Sequence, residues 1–78
     1  MNNTIITKHA KKRIKERLGL SKRSHLRHIM KVLKEGIFLY RNKKNNTFFM
    51  QYHHSEYIFT LTYQLKPILI TMYREEFN

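Results

Sequence analysis

The residues best suited to chemistry in this sequence are His9, Arg13, Glu16 and Arg17, in the run His9-Ala10-x-x-Arg13-x-x-Glu16-Arg17. Their spacing is i, i+4, i+7, i+8, which places them on one face of a helix. An imidazole titrating near neutrality moves a proton to or from a ribose 2′-hydroxyl or a leaving oxygen. Guanidinium N–H groups stabilise the charge that develops on a phosphorane. Glu16 would orient an Arg or act as a base. The set suits phosphodiester chemistry. A plainer reading stands beside it. Glu16 pairs with Lys12 or Arg13 within the helix, His9 is an ordinary first-turn residue, and the arginines touch phosphates without turnover.

The elements that must position this ridge can be read from end signals and periodicity. Thr7 is a helix cap and Gly19 a left-handed stop, so a first helix is expected over about Lys8 to Leu18. Ala10, Ile14 and Leu18 give it a narrow apolar stripe. Ser21 is a second cap and Gly36 a second stop, bounding a helix over about Lys22 to Lys34. Its expected inward face is Leu26, Ile29, Met30 and Leu33.

After Gly36 the period changes to that of strands. These are expected over Ile37 to Arg41, Thr47 to His53, Tyr57 to Gln64 and Ile68 to Arg74, with Ile5 and Ile6 as a short edge strand. His54-Ser55-Glu56 would link the second and third. Alternation assigns Phe48, Met50 and Tyr52, then Tyr57, Phe59, Leu61 and Tyr63, then Ile68, Ile70 and Met72 to the helix side. Phe49, Gln51, His53, Thr60, Thr62, Thr71 and Tyr73 would face away. The expected fold class is α+β: residues 1–78 as one domain, a basic helical hairpin over about 1–36 on an antiparallel sheet of about four strands over 37–78.

Charge is distributed unevenly over these two parts. The chain has 78 residues and net charge +11. Residues 1–36 hold eleven cations and two acids, net +9, and residues 37–78 five cations and three acids, net +2. Concentration in one half is the footprint of a polyanion-binding surface. Lys11, Lys12, Lys15, Lys22, Arg23, Arg27 and Lys31 are the candidates to hold a nucleic-acid backbone. The plain alternative is a pair of solvated lysine faces.

The motif, the second helix, the strands and the late Ile70-Thr71-Met72-Tyr73-Arg74 together resemble a group of small prokaryotic and phage proteins of unknown function. The fold of that group is similar to the BrnT and RelE ribonuclease toxins. The resemblance implies helices on one side of a curved sheet and a site on or beside the sheet. Carried over, it marks His9, Arg13, Glu16 and Arg17, with Thr71 and Tyr73 as late partners. A toxin-type protein also implies a cognate inhibitor protein.

Other chemistry is thinly supported. The pairs His25/His28 and His53/His54 lack carboxylates or thiolates at ligand spacing, so no metal and no cofactor is expected. His28 reads as a surface or phosphate-contacting residue. The chain has no Asp and no Cys, which rules out a Ser-His-Asp set and disulfides. Phe49 and Tyr73 are the rings placed to stack on unpaired bases. No apolar run reaches membrane-spanning length, and a cytoplasmic location is expected.

Two functions compete on these grounds. One is an RNA-directed protein, a metal-independent ribonuclease with His9, Arg13, Glu16, Arg17 and Tyr73 at the scissile phosphate. The other is a non-catalytic phage or mobile-element accessory protein that binds nucleic acid, a host nucleoprotein or an acidic protein surface. RNA is favoured over DNA. A homodimer through an edge strand such as Ile37 to Arg41 is also open. A helix-turn-helix reader with Arg23 and Arg27 on guanine ranks third, because its helix lacks Asn and Gln.

Overall fold

Thr7 fixes where the first helix begins. Its hydroxyl accepts from the Ala10 N–H at 3.1 Å, and α1 runs over Lys8–Leu18. Gly19 ends it at φ 67, its N–H on the Lys15 carbonyl. The computed structural model describes residues 5–62 and 66–74. Within them, α2 spans Lys22–Glu35. The strands are β1 (Ile5–Ile6), β2 (Ile37–Asn42), β3 (Thr47–Tyr52), β4 (Ser55–Leu61) and β5 (Pro67–Arg74). None of the described helices is long and apolar enough to cross a membrane.

The fold is α+β, with both helices packed on one sheet of order β1-β5-β4-β3-β2. The sheet has five strands and is mixed, where about four antiparallel strands were expected. The difference is β1, which pairs parallel to β5 through Ile5↔Ile68 and Ile6↔Leu69. α1 lies over β5 and α2 over β3. Between helices and sheet sit the fully buried Ile14, Ile29, Phe59, Leu69 and Met72.

Three local features shift the expected faces. First, β5 carries a bulge. Ile58 pairs with Thr71 but Phe59 pairs with Leu69, leaving Ile70 as the extra residue. Alternation restarts there, so Leu69 enters the core while Ile68 and Ile70 are only half-buried. The expectation of Ile68 and Ile70 inside is corrected by that one residue.

Second, the β3–β4 hairpin is tighter than expected. Tyr52 pairs with Ser55, so His53 and His54 form the whole connection. Both take positive φ, 47 and 62, as a two-residue hairpin turn demands. His53 therefore lies in the turn rather than on the sheet's outer face. The third strand begins at Ser55, and Tyr63 and Gln64 fall outside the described residues.

Third, α2 is rotated. Its buried residues are His25, Ile29 and Val32, whereas Leu26 and Met30 are exposed. A polar residue takes an inward position because its ring has a partner: His25 Nε2 lies 3.0 Å from the Leu20 carbonyl. Gly36 closes the corner after α2, where a Cβ would stand 2.5 Å from the Val32 carbonyl oxygen and 3.0 Å from that of Gln51.

The bulge gives a direct test by urea denaturation. Leu69→Ala should cost about 2–5 kcal/mol, the range for truncating a buried Leu, and Ile70→Ala should cost less than half as much. Equal losses would contradict the bulge.

Candidate nucleic-acid interface

α1 presents two polar flanks on either side of its buried stripe. Lys8, Lys11, Lys12 and Lys15 follow i, i+3, i+4, i+7 and share the flank facing α2. With Lys22, at the start of α2, and His25 they line a cleft of about 430 Å³. An adjoining recess of about 270 Å³ is lined by Ile6, Lys11, Lys22, His25 and Leu26. Lys11, Lys22 and His25 belong to both. The helical packing that buries Ala10, Ile14 and Ile29 thus brings five lysine side chains around one opening.

The local electrostatics there are one-sided. Neither helix has an acid in its first turn. Lys8, Lys22 and Arg23 stand instead at helix starts, where the macrodipole disfavours cations and favours anions. Ser21 occupies the cap position of α2, but its hydroxyl makes no cap hydrogen bond. It lies 3.3 Å from the Ser24 hydroxyl, so the expected second cap is not formed. The start of α2 is left with donor N–H groups and positive charge together.

His9, Arg13 and Glu16 form a chain on the other flank of α1. Arg13 Nε donates to His9 Nε2 at 3.4 Å. Glu16 lies 3.6 Å from Arg13 Nη1 and 3.9 Å from Lys12 Nζ. Both pairs are on the surface, where such contacts are worth little. Arg17 turns toward the sheet, its Nη1 on the Met72 carbonyl at 3.5 Å. Arg74 Nη1 reaches the Arg17 carbonyl at 3.4 Å. Tyr73 sits between Met72 and Arg74, both on the helix side of β5, so alternation directs it to the opposite face. The structure brings His9, Arg13 and Glu16 together, holds Arg17 at the helix end, and sets Tyr73 on a different surface. Thr71 shares that surface, across from Ile58.

Among the expected backbone-binding residues, Lys11, Lys12, Lys15 and Lys22 converge. Arg23, Arg27 and Lys31 lie exposed along α2, outside the cleft. Phe49 is on the sheet face away from the helices, stacked on Tyr40 with centroids 4.3 Å apart at 16°. That places it far around the molecule from the lysines. Among the described residues no three His or Glu side chains gather as a metal cluster.

Two residues of the site were not singled out from the sequence. Lys8 completes the lysine face, and its spacing to Lys11, Lys12 and Lys15 was a signal available in advance. His25 is the other. It is 3 % exposed, and its Nδ1 is buried with no hydrogen-bond partner among the described residues. An unmet buried polar atom of this kind costs about 1–3 kcal/mol.

His28 departs from its expected surface role. It is half-buried, with Nε2 2.6 Å from the Tyr57 hydroxyl and its ring against Tyr52 and Tyr57. Burial foremost, then nearby His53, Lys31 and His25, hold its pKa below the ordinary 6.5. Burial pushes the Tyr57 phenol up to about 12, against a smaller opposing effect of Ser55. At neutral pH the phenol is protonated and the imidazole neutral, and they share one hydrogen bond. This pair braces α2 against β4.

No family model matches the sequence, and no match to a curated protein was found.

The lowered pKa of His28 fixes the sign of a pH effect. Below pH 6.5 the unfolded chain takes up this proton before the folded one does, so stability from this group is complete above that pH and falls as pH drops toward the folded value. Thermal melts should show Tm declining on acidification from about pH 6.5 to 5, with a shallower decline in His28→Gln. An equal decline in both proteins would remove His28 as its source.

Proposed function

We propose that the protein binds RNA, with the lysine-lined cleft between α1 and α2 as the seat of the sugar–phosphate backbone. The observation that carries this reading is the convergence of Lys8, Lys11, Lys12, Lys15 and Lys22 on one opening. Ammonium groups only donate hydrogen bonds, so the cleft selects oxyanions. The acid-free first turns of both helices favour the same ligand. The sheet half, with net +2, contributes little to this field.

A second reading rests on the contact between His9 and Arg13. It places an imidazole and a guanidinium side by side on the flank of α1 opposite the lysine cleft. RNA lying along the cleft and over α1 would meet this ridge, where a metal-independent cleavage would use His9 for the proton and Arg13 for the phosphorane charge. The resemblance to BrnT- and RelE-type proteins favours the same idea. In that reading the ridge works without Tyr73.

Fluorescence anisotropy with a labelled single-stranded RNA tests both readings. Affinity should fall with salt at a log–log slope near −0.7 per phosphate neutralised, so about −3 for four contacts. Reversing Lys11 and Lys15 to Glu should lower affinity at least about tenfold and flatten the slope. His9→Ala should leave affinity unchanged. Salt-insensitive binding would overturn the proposal. In the same samples with EDTA, RNA cut by the wild type and spared by His9→Ala would support cleavage. Intact RNA throughout would leave a binding protein only.

A further inference from the structure

The cleft contains one group that lysine-to-phosphate attraction leaves unused. His25 lies where the lysine-lined opening meets the recess beside Ile6 and Leu26, and lines both. Its Nε2 faces the Leu20 carbonyl at 3.0 Å. A carbonyl oxygen only accepts, so Nε2 carries the hydrogen and donates it. In the neutral ring Nδ1 must then bear the lone pair. That atom is buried and has no partner among the described residues.

The cleft therefore offers two kinds of recognition side by side. Lysine side chains seek anionic oxygens, and one acceptor, buried at the edge of the His25 ring, lacks a hydrogen-bond donor. A bare phosphate ester meets only the first demand. The sugar–phosphate backbone of DNA carries no hydrogen-bond donor. The RNA backbone carries one, the ribose 2′-hydroxyl, beside each phosphodiester. Ile6 and Leu26 add an aliphatic wall suited to the C–H face of a ribose.

Resting on the RNA-binding reading above, we infer that His25 is the sugar reader of this cleft. The lysines hold consecutive phosphates, and His25 Nδ1 accepts a hydrogen bond from the 2′-hydroxyl between them. The recess wall beside the ring is built from the long, rotatable side chains of Lys11 and Lys22. Reading the sugar requires these side chains to swing out onto phosphates and the buried ring edge to open to the ligand. Phosphate binding and sugar reading are thereby coupled in one movement. No covalent step is involved.

The test compares four oligomers of one sequence: RNA, DNA, 2′-O-methyl RNA and 2′-fluoro RNA. The last keeps the RNA-like sugar pucker but has no donor, and so separates hydrogen bonding from backbone shape. Wild-type protein should bind RNA about fivefold more tightly than the other three, the worth of roughly one hydrogen bond. His25→Phe keeps the planar ring shape and removes both nitrogens, and with them the acceptor at Nδ1. It should bind RNA no more tightly than DNA, and circular dichroism of the same sample reports whether the helices remain in place.

Equal binding of RNA and 2′-fluoro RNA by the wild type would overturn the inference and leave the lysine cleft standing. A preference for RNA that survives in a folded His25→Phe would overturn it as well. Failure of all four oligomers to bind would bring down the RNA-binding reading itself. The wild-type comparison decides the matter even if the variant does not fold.

Discussion

The Thr7 hydroxyl makes two hydrogen bonds at once, and the arrangement of helices on sheet depends on them. It accepts from the Ala10 N–H, starting α1. It donates to the Ile70 carbonyl at 3.1 Å. Ile70 is the bulged residue of β5, whose backbone falls outside the regular ladder. The Thr7 N–H meanwhile bonds the Leu69 carbonyl at 3.2 Å. One residue therefore joins the end of β1, the start of α1 and the bulge. With that junction fixed, Ala10 and Ile14 point into the core, and the lysine flank of α1 has no choice but to face α2.

A surface of this composition works against the fold that carries it. Like charges crowd α1, and cations sit at helix ends that prefer anions. Stability must come from below, through Ile14, Ile29, Phe59, Leu69 and Met72. The two inward histidines of α2 remain compatible with that core because each has found a neutral partner, a carbonyl for His25 and a phenol for His28. Burial foremost holds the pKa of His28 below its ordinary value, so that ring stays neutral beside the lysines at neutral pH. The histidine that is only half satisfied is the one that touches the cleft.

Much of this was legible in the sequence. Thr7, Gly19 and Gly36 marked real boundaries, because each has a backbone reason to stand there. The change of period after Gly36 located the sheet, and the charge asymmetry located the basic helices. What escaped were features without a local signal. A bulge leaves no trace in an alternating run such as Ile68 to Met72. The pair His53-His54 does not look like a tight turn, since Asn or Gly is the usual choice. On α2 the apolar residues outnumber the places available inside, and tertiary packing chose Val32 over Leu26 and Met30. The expected site residues divide between the two flanks of α1. His9, Arg13 and Glu16, the ridge of varied chemistry, lie on one flank, and the plain repetition of lysines marks the flank that closes into a cleft.

β2 is the least protected of the described strands. Ile37, Phe38, Leu39 and Tyr40 are all exposed, at the free edge of the sheet. A register shift between Phe38 and Tyr40 distorts that edge and spoils it as a template for another strand. The net charge of +11 is a further, long-range barrier between copies. The two safeguards differ in kind, because the first is built into the backbone and the second is cancelled by any bound polyanion. A nucleic acid that neutralised the helices would also remove the colloidal repulsion between neighbouring copies, leaving the kinked edge as their principal guard. Crowding along a shared strand would then be governed by the shape of β2 rather than by charge.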